Sequence, residues 1–207
     1  MNQKRIRKTE LTILIGTNGS GKTTFLRNEI VAKSKRCLIV TPYHSEWKEV
    51  PAISISDIRT FNGTAKIIMP GRSQSNALFT AIANNYSGGI LVLDDSKIYI
   101  NNFTDENMDY IYTSRRQYGV DCYIVGHGLS KIPPGAFTHL SWLVLFSTNE
   151  NFRRRRDELN PEDLDKIIEK QQLIKKKVEA GNPYYYEIIL LDPQIRGEYV
   201  RQTKQTK

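Results

Sequence analysis

The sequence predicts an α/β fold, a mostly parallel sheet with helices on both faces, and two observations lead there. Short apolar runs recur along the chain and alternate with helix-compatible segments, the pattern of strands buried on both sides by crossover helices. Between the first such run and the first such helix, Gly16-Thr17-Asn18-Gly19-Ser20-Gly21-Lys22-Thr23 fits the spacing G-x-x-x-x-G-K-[ST] at every position.

In chain order, Leu11 to Ile15 is apolar and partly β-branched and predicts a buried strand. Thr24 to Lys33 has helical spacing. Cys37 to Val40 predicts a second strand closed by Thr41-Pro42, and Ala65 to Met69 a third ended by Pro70-Gly71. A helix is expected over Asn76 to Asn84. Ile90 to Leu93 is the most hydrophobic strand candidate and runs into Asp94-Asp95, after which a helix is expected from about Asp105 to Tyr118. Asp121 to Val125 and Trp142 to Phe146 supply two more strands. Beyond Ser147 the chain becomes highly charged: Arg153-Arg154-Arg155-Arg156 precedes a helix from Pro161 to Glu179, with Pro at its first turn and Gly181 past its end. Tyr184 to Leu191 then predicts a strand returning to the sheet. Residues 1–147 therefore read as a core, and residues 148–207 as a charged helical appendage, returning strand and basic tail packed on the same domain.

Bulk properties narrow the class. At 207 residues the chain suits one α/β domain with a small addition. The net charge of +8 is compatible with a polyanionic partner, although cations and anions are interspersed. Cys37 and Cys122 lie inside apolar runs, as small buried residues in a reducing compartment do, and no zinc-type spacing exists. No stretch approaches the roughly 20 apolar residues of a membrane span, and the basic start Met1 to Lys8 leads into a short strand instead of a signal-peptide core. The expectation is a soluble intracellular protein.

The glycine-rich octapeptide carries the most chemistry. Its glycines allow successive N–H groups of Gly16, Thr17, Asn18, Gly19, Ser20, Gly21, Lys22, Thr23 and Thr24 to converge on phosphates, aided by the partial positive charge of the helix start. Lys22 would reach the β- and γ-phosphates of ATP, and the Thr23 hydroxyl would ligate Mg²⁺. Hydrolysis also needs carboxylates at a neighbouring strand end. Asp94 fits the metal side and Asp95 the water-polarising side, although an Asp pair there also serves as a helix cap or turn.

A second stretch, Tyr112 to His127, which contains the form R-x-x-G-x-D as Arg116-Gln117-Tyr118-Gly119-Val120-Asp121, resembles the segment after the acidic strand in the FtsK–HerA superfamily of P-loop ATPases. It is similar to the small viral genome-packaging ATPases and to the zonular-occludens-toxin-like branch. The resemblance covers about residues 10 to 147 and implies a P-loop NTPase of the RecA/ASCE-like kind. It implies that the strand ending at His127 is inserted between the acidic strand and the P-loop strand, with His127 as γ-phosphate sensor where Gln is more usual. Unlike Gln, His titrates near neutrality. Asp95 stands where Glu is common and is one methylene shorter. The arginine finger, given in trans to a neighbouring subunit, falls on Arg116, with the adjacent Arg115 as the alternative; both also suit a helix C-terminus electrostatically. Arg153 to Arg156 would line a DNA channel, make a trans contact, or form a solvated charged face. Ile132-Pro133-Pro134-Gly135 resembles the loop after the sensor strand.

The resemblance implies a homo-oligomeric ring ATPase that moves double-stranded DNA at the portal or capsid vertex of a virus, in the host cytoplasm. The competing expectations are a zonular-occludens-toxin-like virion assembly ATPase, a P-loop nucleotide or small-molecule kinase, and a protein in which nucleotide only gates partner binding.

Overall fold

Seven strands share one sheet in the computed structural model, which describes residues 9–100 and 106–191. In chain order they are β1 (Leu11–Ile15), β2 (Arg36–Thr41), β3 (Gly63–Ile68), β4 (Gly89–Leu93), β5 (Val120–Gly126), β6 (Trp142–Leu145) and β7 (Glu187–Leu190). Their spatial order is β3-β2-β4-β5-β1-β6-β7. All neighbours pair in parallel except β6 and β7, which are antiparallel. The α/β class and the insertion of β5 between β4 and β1 both follow expectation.

The alternation of side chains sorts the core into two layers. Leu11, Ile13 and Ile15 of β1 join Leu38, Leu91, Leu93, Cys122, Ile124 and Leu143 in one buried cluster. Leu14 faces the other way, with Ile39, Val92, Val125 and Val144. Central strands buried on both faces need apolar residues at both parities, which is why their sequences read as unbroken runs.

The helices are α1 (Lys22–Phe25), α2 (Ser75–Asn85), α3 (Glu106–Tyr118), α4 (Pro134–Thr138) and α5 (Pro161–Glu179). The single helix expected after the glycine-rich loop changes pitch. It widens into a π-helical stretch over Leu26–Ile30 and ends in a 3₁₀ turn over Val31–Lys33. Asn160 caps α5 by accepting from the Asp163 N–H at 2.8 Å, with Pro161 following. Leu164, Ile167 and Ile174 of α5 enter the same core as β1, so residues 148–191 extend the sheet and its packing. The returning strand is shorter than expected: Tyr184, Tyr185 and Tyr186 precede β7 outside the ladder. The basic stretches at 1–8 and 201–207 lie outside the described residues.

Cys37 and Cys122 are buried and free, and burial pushes each thiol up to about 12. Among the described residues no helix is long and apolar enough to cross a membrane.

Register carries the strand ends to one edge. Ile15 lies beside Gly126 on one side and Leu145 on the other, and Leu93 lies beside Ile124. Gly16, Asp94, Asp95 and His127, each just past a strand end, therefore meet at the carboxyl edge, where open α/β sheets bind ligands.

The opposite edge has its own constraint at Gly89, which starts β4 with φ 149°. A Cβ there would lie 2.6 Å from the Arg36 carbonyl oxygen and 2.9 Å from Tyr86 Oη. Gly89→Ala should lower the stability of the fold by about 2–4 kcal/mol, combining backbone strain with overpacking. Gly71→Ala, with open space around its Cβ, should change it by less than about 0.5 kcal/mol. Urea unfolding of the two variants against the parent measures both; equal effects would contradict this packing.

Candidate functional site

Gly21 opens the site by taking a left-handed conformation, φ 101° and ψ 5°, immediately before α1. That conformation turns the chain from loop to helix, and the Gly21 carbonyl accepts the first helical bond, from the Phe25 N–H at 2.9 Å. The loop is anchored to the segment just past β6: the Thr17 N–H donates to the Ser147 carbonyl at 2.9 Å, and its hydroxyl to the same oxygen at 3.2 Å. At Gly16 a Cβ would meet the Phe146 Cβ at 2.5 Å and Ser20 Oγ at 2.7 Å, so only glycine fits between loop and strand.

Lys22 is buried beneath this loop. Its Nζ donates to the carbonyls of Gly16 and Thr17, both at 2.8 Å, and lies 3.1 Å from His127 Nδ1. The other imidazole nitrogen, Nε2, is 2.9 Å from Asp95 Oδ1. A neutral His127 carrying its proton on Nε2 satisfies both contacts, donating to Asp95 and accepting from Lys22. The histidine thus joins the glycine-rich loop to the acidic strand. Burial lowers Lys22 to about 8, against the raising influence of Asp95 and then Asp94.

Asp94 is held from three sides. Its backbone N–H donates to the Val40 carbonyl at 2.9 Å, and its own carbonyl accepts from Tyr99 Oη at 2.9 Å. Its Oδ2 accepts from Trp47 Nε1 at 3.1 Å. Trp47 and Tyr99 are themselves fully buried, so the carboxylate has little freedom to move. Trp47 and Asp95 are the two described non-glycine residues with positive φ, 52° and 46°. Both flank this carboxylate, and such conformations cluster where geometry is held against local preference.

Lys22, Asp94, Asp95 and His127 line one cavity of about 500 Å³, bordered also by the rest of residues 18–24, Tyr43, Glu46 and Tyr184. The structure brings together every expected nucleotide-side residue except Gly16 and Thr17, which form the loop's root. A hydroxyl at Thr23 and a carboxylate at Asp94 are hard oxygen donors of the kind Mg²⁺ takes when phosphates and water complete its shell. Among the described residues no cluster of three or more His, Cys, Asp or Glu side chains is arranged to hold a metal alone.

The arginines divide. Arg115 is buried, donating to the Tyr112 carbonyl and, at 3.3 Å, to that of His139. Arg116 is exposed on the last turn of α3, away from this cavity. The four-arginine tract divides too. Arg155 donates to the Leu129 carbonyl at 2.8 Å, pairs with Glu158 and lies over the Phe137 ring, whereas Arg153, Arg154 and Arg156 are exposed. Trp47, Tyr99, Tyr43, Glu46 and Tyr184 were not anticipated. Trp47 alone offered a signal, as a tryptophan in a polar stretch just after a strand end.

No family model matches the sequence. No curated protein matches it either. Solved structures do. The genome-packaging NTPase B204 of Sulfolobus turreted icosahedral virus 2, in complex with ATP-gammaS, superposes with a TM-score of 0.67 at 16% identity, covering 90% of this chain and 94% of that one. The same protein in complex with AMPPCP gives 0.66 at 14% identity, over 88% and 93%. B204, the DNA-packaging ATPase of Sulfolobus turreted icosahedral virus, gives 0.59 at 15% identity, over 88% and 92%. At these identities the likeness is one of fold, and it bears out the P-loop α/β architecture that the sequence resemblance implied.

Burial pushes the Asp94 carboxyl up from 3.8 to about 6, with Asp95 and Glu46 adding to the rise and the Trp47 hydrogen bond opposing it. The native state therefore holds this proton longer than the unfolded chain does. The stabilisation that protonation brings is complete below about pH 4 and lost as pH rises through about 6, leaving a cost of about 2–3 kcal/mol at neutral pH without cations. Asp94→Asn, which keeps an oxygen for Trp47, should be more stable than the parent by about 1–3 kcal/mol at pH 8 in chelator, the gap closing toward pH 4. Denaturant unfolding at the two pH values measures it; no gain at pH 8 would contradict the assignment.

Proposed function

We propose that this chain is an ATPase, and that it works as a homo-oligomeric ring motor driving double-stranded DNA into a viral capsid. The convergence of Lys22, Thr23, Asp94, Asp95 and His127 around one cavity is the observation that supports it. The fold it shares with a genome-packaging NTPase solved with ATP analogues adds to that support.

The chemistry follows from the positions of the side chains. The amides from Asn18 to Thr23 surround the β-phosphate, and Lys22 leaves the Gly16 and Thr17 carbonyls for the β- and γ-phosphate oxygens. Those carbonyls hold the ammonium only until stronger acceptors arrive, because hydrogen bonds between charged partners are about twice as strong as neutral ones. Thr23 and Asp94 would hold Mg²⁺, which would supply charge neutralisation at the phosphates. Asp95 orients the attacking water, and His127, 2.9 Å from Asp95, serves as the γ-phosphate sensor.

Among the described residues the cavity lining includes no arginine. A guanidinium that completes charge stabilisation must then come from elsewhere. Arg116 suits a trans role because it is exposed at a helix end, while Arg115 is committed to backbone carbonyls. A ring supplies such an arginine to each site from the next subunit. Exposed Arg153, Arg154 and Arg156 are suited to DNA phosphates, with strong salt dependence. The setting is the host cytoplasm at a procapsid vertex, with the portal or capsid as partner.

Arg116→Ala should lower ATP turnover by about 10³-fold or more while leaving ATP affinity within a few-fold. Mixing inactive Arg116→Ala with inactive Lys22→Ala subunits should restore part of the turnover, since some sites then combine an intact Lys22 with an intact neighbouring arginine. Steady-state hydrolysis with and without duplex DNA measures this. Unchanged turnover in Arg116→Ala assemblies would remove the residue from the role, and turnover that duplex DNA fails to raise would remove the motor reading.

A further inference from the structure

Beside the phosphate cavity lies a second one, of about 340 Å³, bordered by Gly21, Thr24, Phe25, Asn28, Glu29, Phe146, Tyr184 and Tyr186. Gly21, Thr24 and Tyr184 border both, so the two spaces are contiguous around the start of α1. The second cavity is aromatic. Phe25, Phe146 and Tyr186 pack as three rings, with centroids 5.1 Å apart for Phe25 and Tyr186, 5.2 Å for Phe146 and Tyr186, and 6.1 Å for Phe25 and Phe146. Phe146 is buried and forms the floor. Tyr184 is 65% exposed and makes no ring contact among the described residues. Its Cδ1 lies 3.6 Å from where a Gly21 Cβ would be, so its ring stands over the turn that starts the phosphate loop.

Resting on the reading of the first cavity as a triphosphate site, we propose that this aromatic cleft takes the base of the nucleotide, with Tyr184 as the stacking wall. A planar, weakly polar ligand suits a cleft with an exposed ring face on one side and a three-ring floor, because base–aromatic stacking is available to every base. The adjoining phosphate cavity fixes which part of the ligand enters: the end opposite the phosphates. The rim has little means of reading base identity. Glu29 is engaged in an ion pair with Lys33, leaving the Thr24 hydroxyl and the Asn28 amide, and an amide both donates and accepts. Stacking with so few edge contacts recognises a base without choosing strongly among bases. Tyr184 and Tyr186 precede β7, so the charged C-terminal segment contributes to the nucleotide site as well as to the sheet.

Calorimetric titration of the parent and of Tyr184→Ala with ATP, GTP, CTP and inorganic tripolyphosphate, all with Mg²⁺, tests this. The parent should bind ATP about tenfold or more tighter than tripolyphosphate, with GTP and CTP within about fivefold of ATP. Tyr184→Ala should remove most of the advantage of ATP, lowering ATP affinity several-fold more than tripolyphosphate affinity, and Tyr184→Phe should behave as the parent. Equal binding of ATP and tripolyphosphate by the parent would overturn the base cleft while leaving the phosphate site intact. An equal loss for both ligands in Tyr184→Ala would overturn it too, since Tyr184 would then act on the loop. Failure of all four ligands to bind the parent would overturn the nucleotide reading itself, and this one with it.

Discussion

A parallel sheet sends the carboxyl end of every strand to one edge, and the order of strands then decides which loops meet. Here β5 lies between β4 and β1. Had β4 paired directly with β1, the acidic pair and the glycine-rich loop would abut with nothing between them. The inserted strand separates them by one strand spacing, and His127 at its end spans that gap, 2.9 Å from Asp95 and 3.1 Å from Lys22. The geometry of the whole site follows from that one placement, which is a property of topology and not of any single side chain.

The site is also held in opposition to its own stability. Burial pushes Asp94 up to about 6 and Lys22 down to about 8, each shifted toward its neutral form, the state useless for binding cations or phosphates. Both are held in position by hydrogen-bonding neighbours: Trp47 and Tyr99 around Asp94, the Gly16 and Thr17 carbonyls around the ammonium. Buried charges without full compensation are costly, and a ligand that supplies the missing opposite charge recovers that cost as affinity. A metal-bound triphosphate, the ligand proposed above, would supply both signs. Rigid placement before binding also lessens what must be ordered on binding.

Much of this was legible in the sequence because the relevant constraints are local. A strand, a glycine-rich turn with Lys and Thr, and an apolar run ending in two aspartates are contiguous patterns, and periodicity placed each of the seven strands to within a few residues. What escaped depends on contacts between segments far apart in the chain. Trp47 reaches Asp94 across nearly fifty positions, and Tyr99 fixes the ends of both β2 and β4 through the Val40 and Asp94 carbonyls. The tyrosines 184–186 have strand-like composition, yet packing against Phe25 and Phe146 draws Tyr186 toward the loop, and the ladder begins only at Glu187. Arg115 and Arg116 are equivalent by composition, and the helix phase separates them by turning one toward carbonyls and the other outward. The same holds for Arg155 within its tract. The pitch change after α1 left no mark that propensity could read.

All of these parts converge on one claim: that Lys22, Thr23, Asp94, Asp95 and His127 act on a single triphosphate. A crystal structure with a nonhydrolysable ATP analogue and Mg²⁺ tests it most directly. The account predicts the β- and γ-phosphates against the amides of residues 18–23, Lys22 Nζ moved from the Gly16 and Thr17 carbonyls onto phosphate oxygen, and the metal between Thr23 and Asp94. An analogue bound elsewhere, with Lys22 still on those two carbonyls, would contradict it.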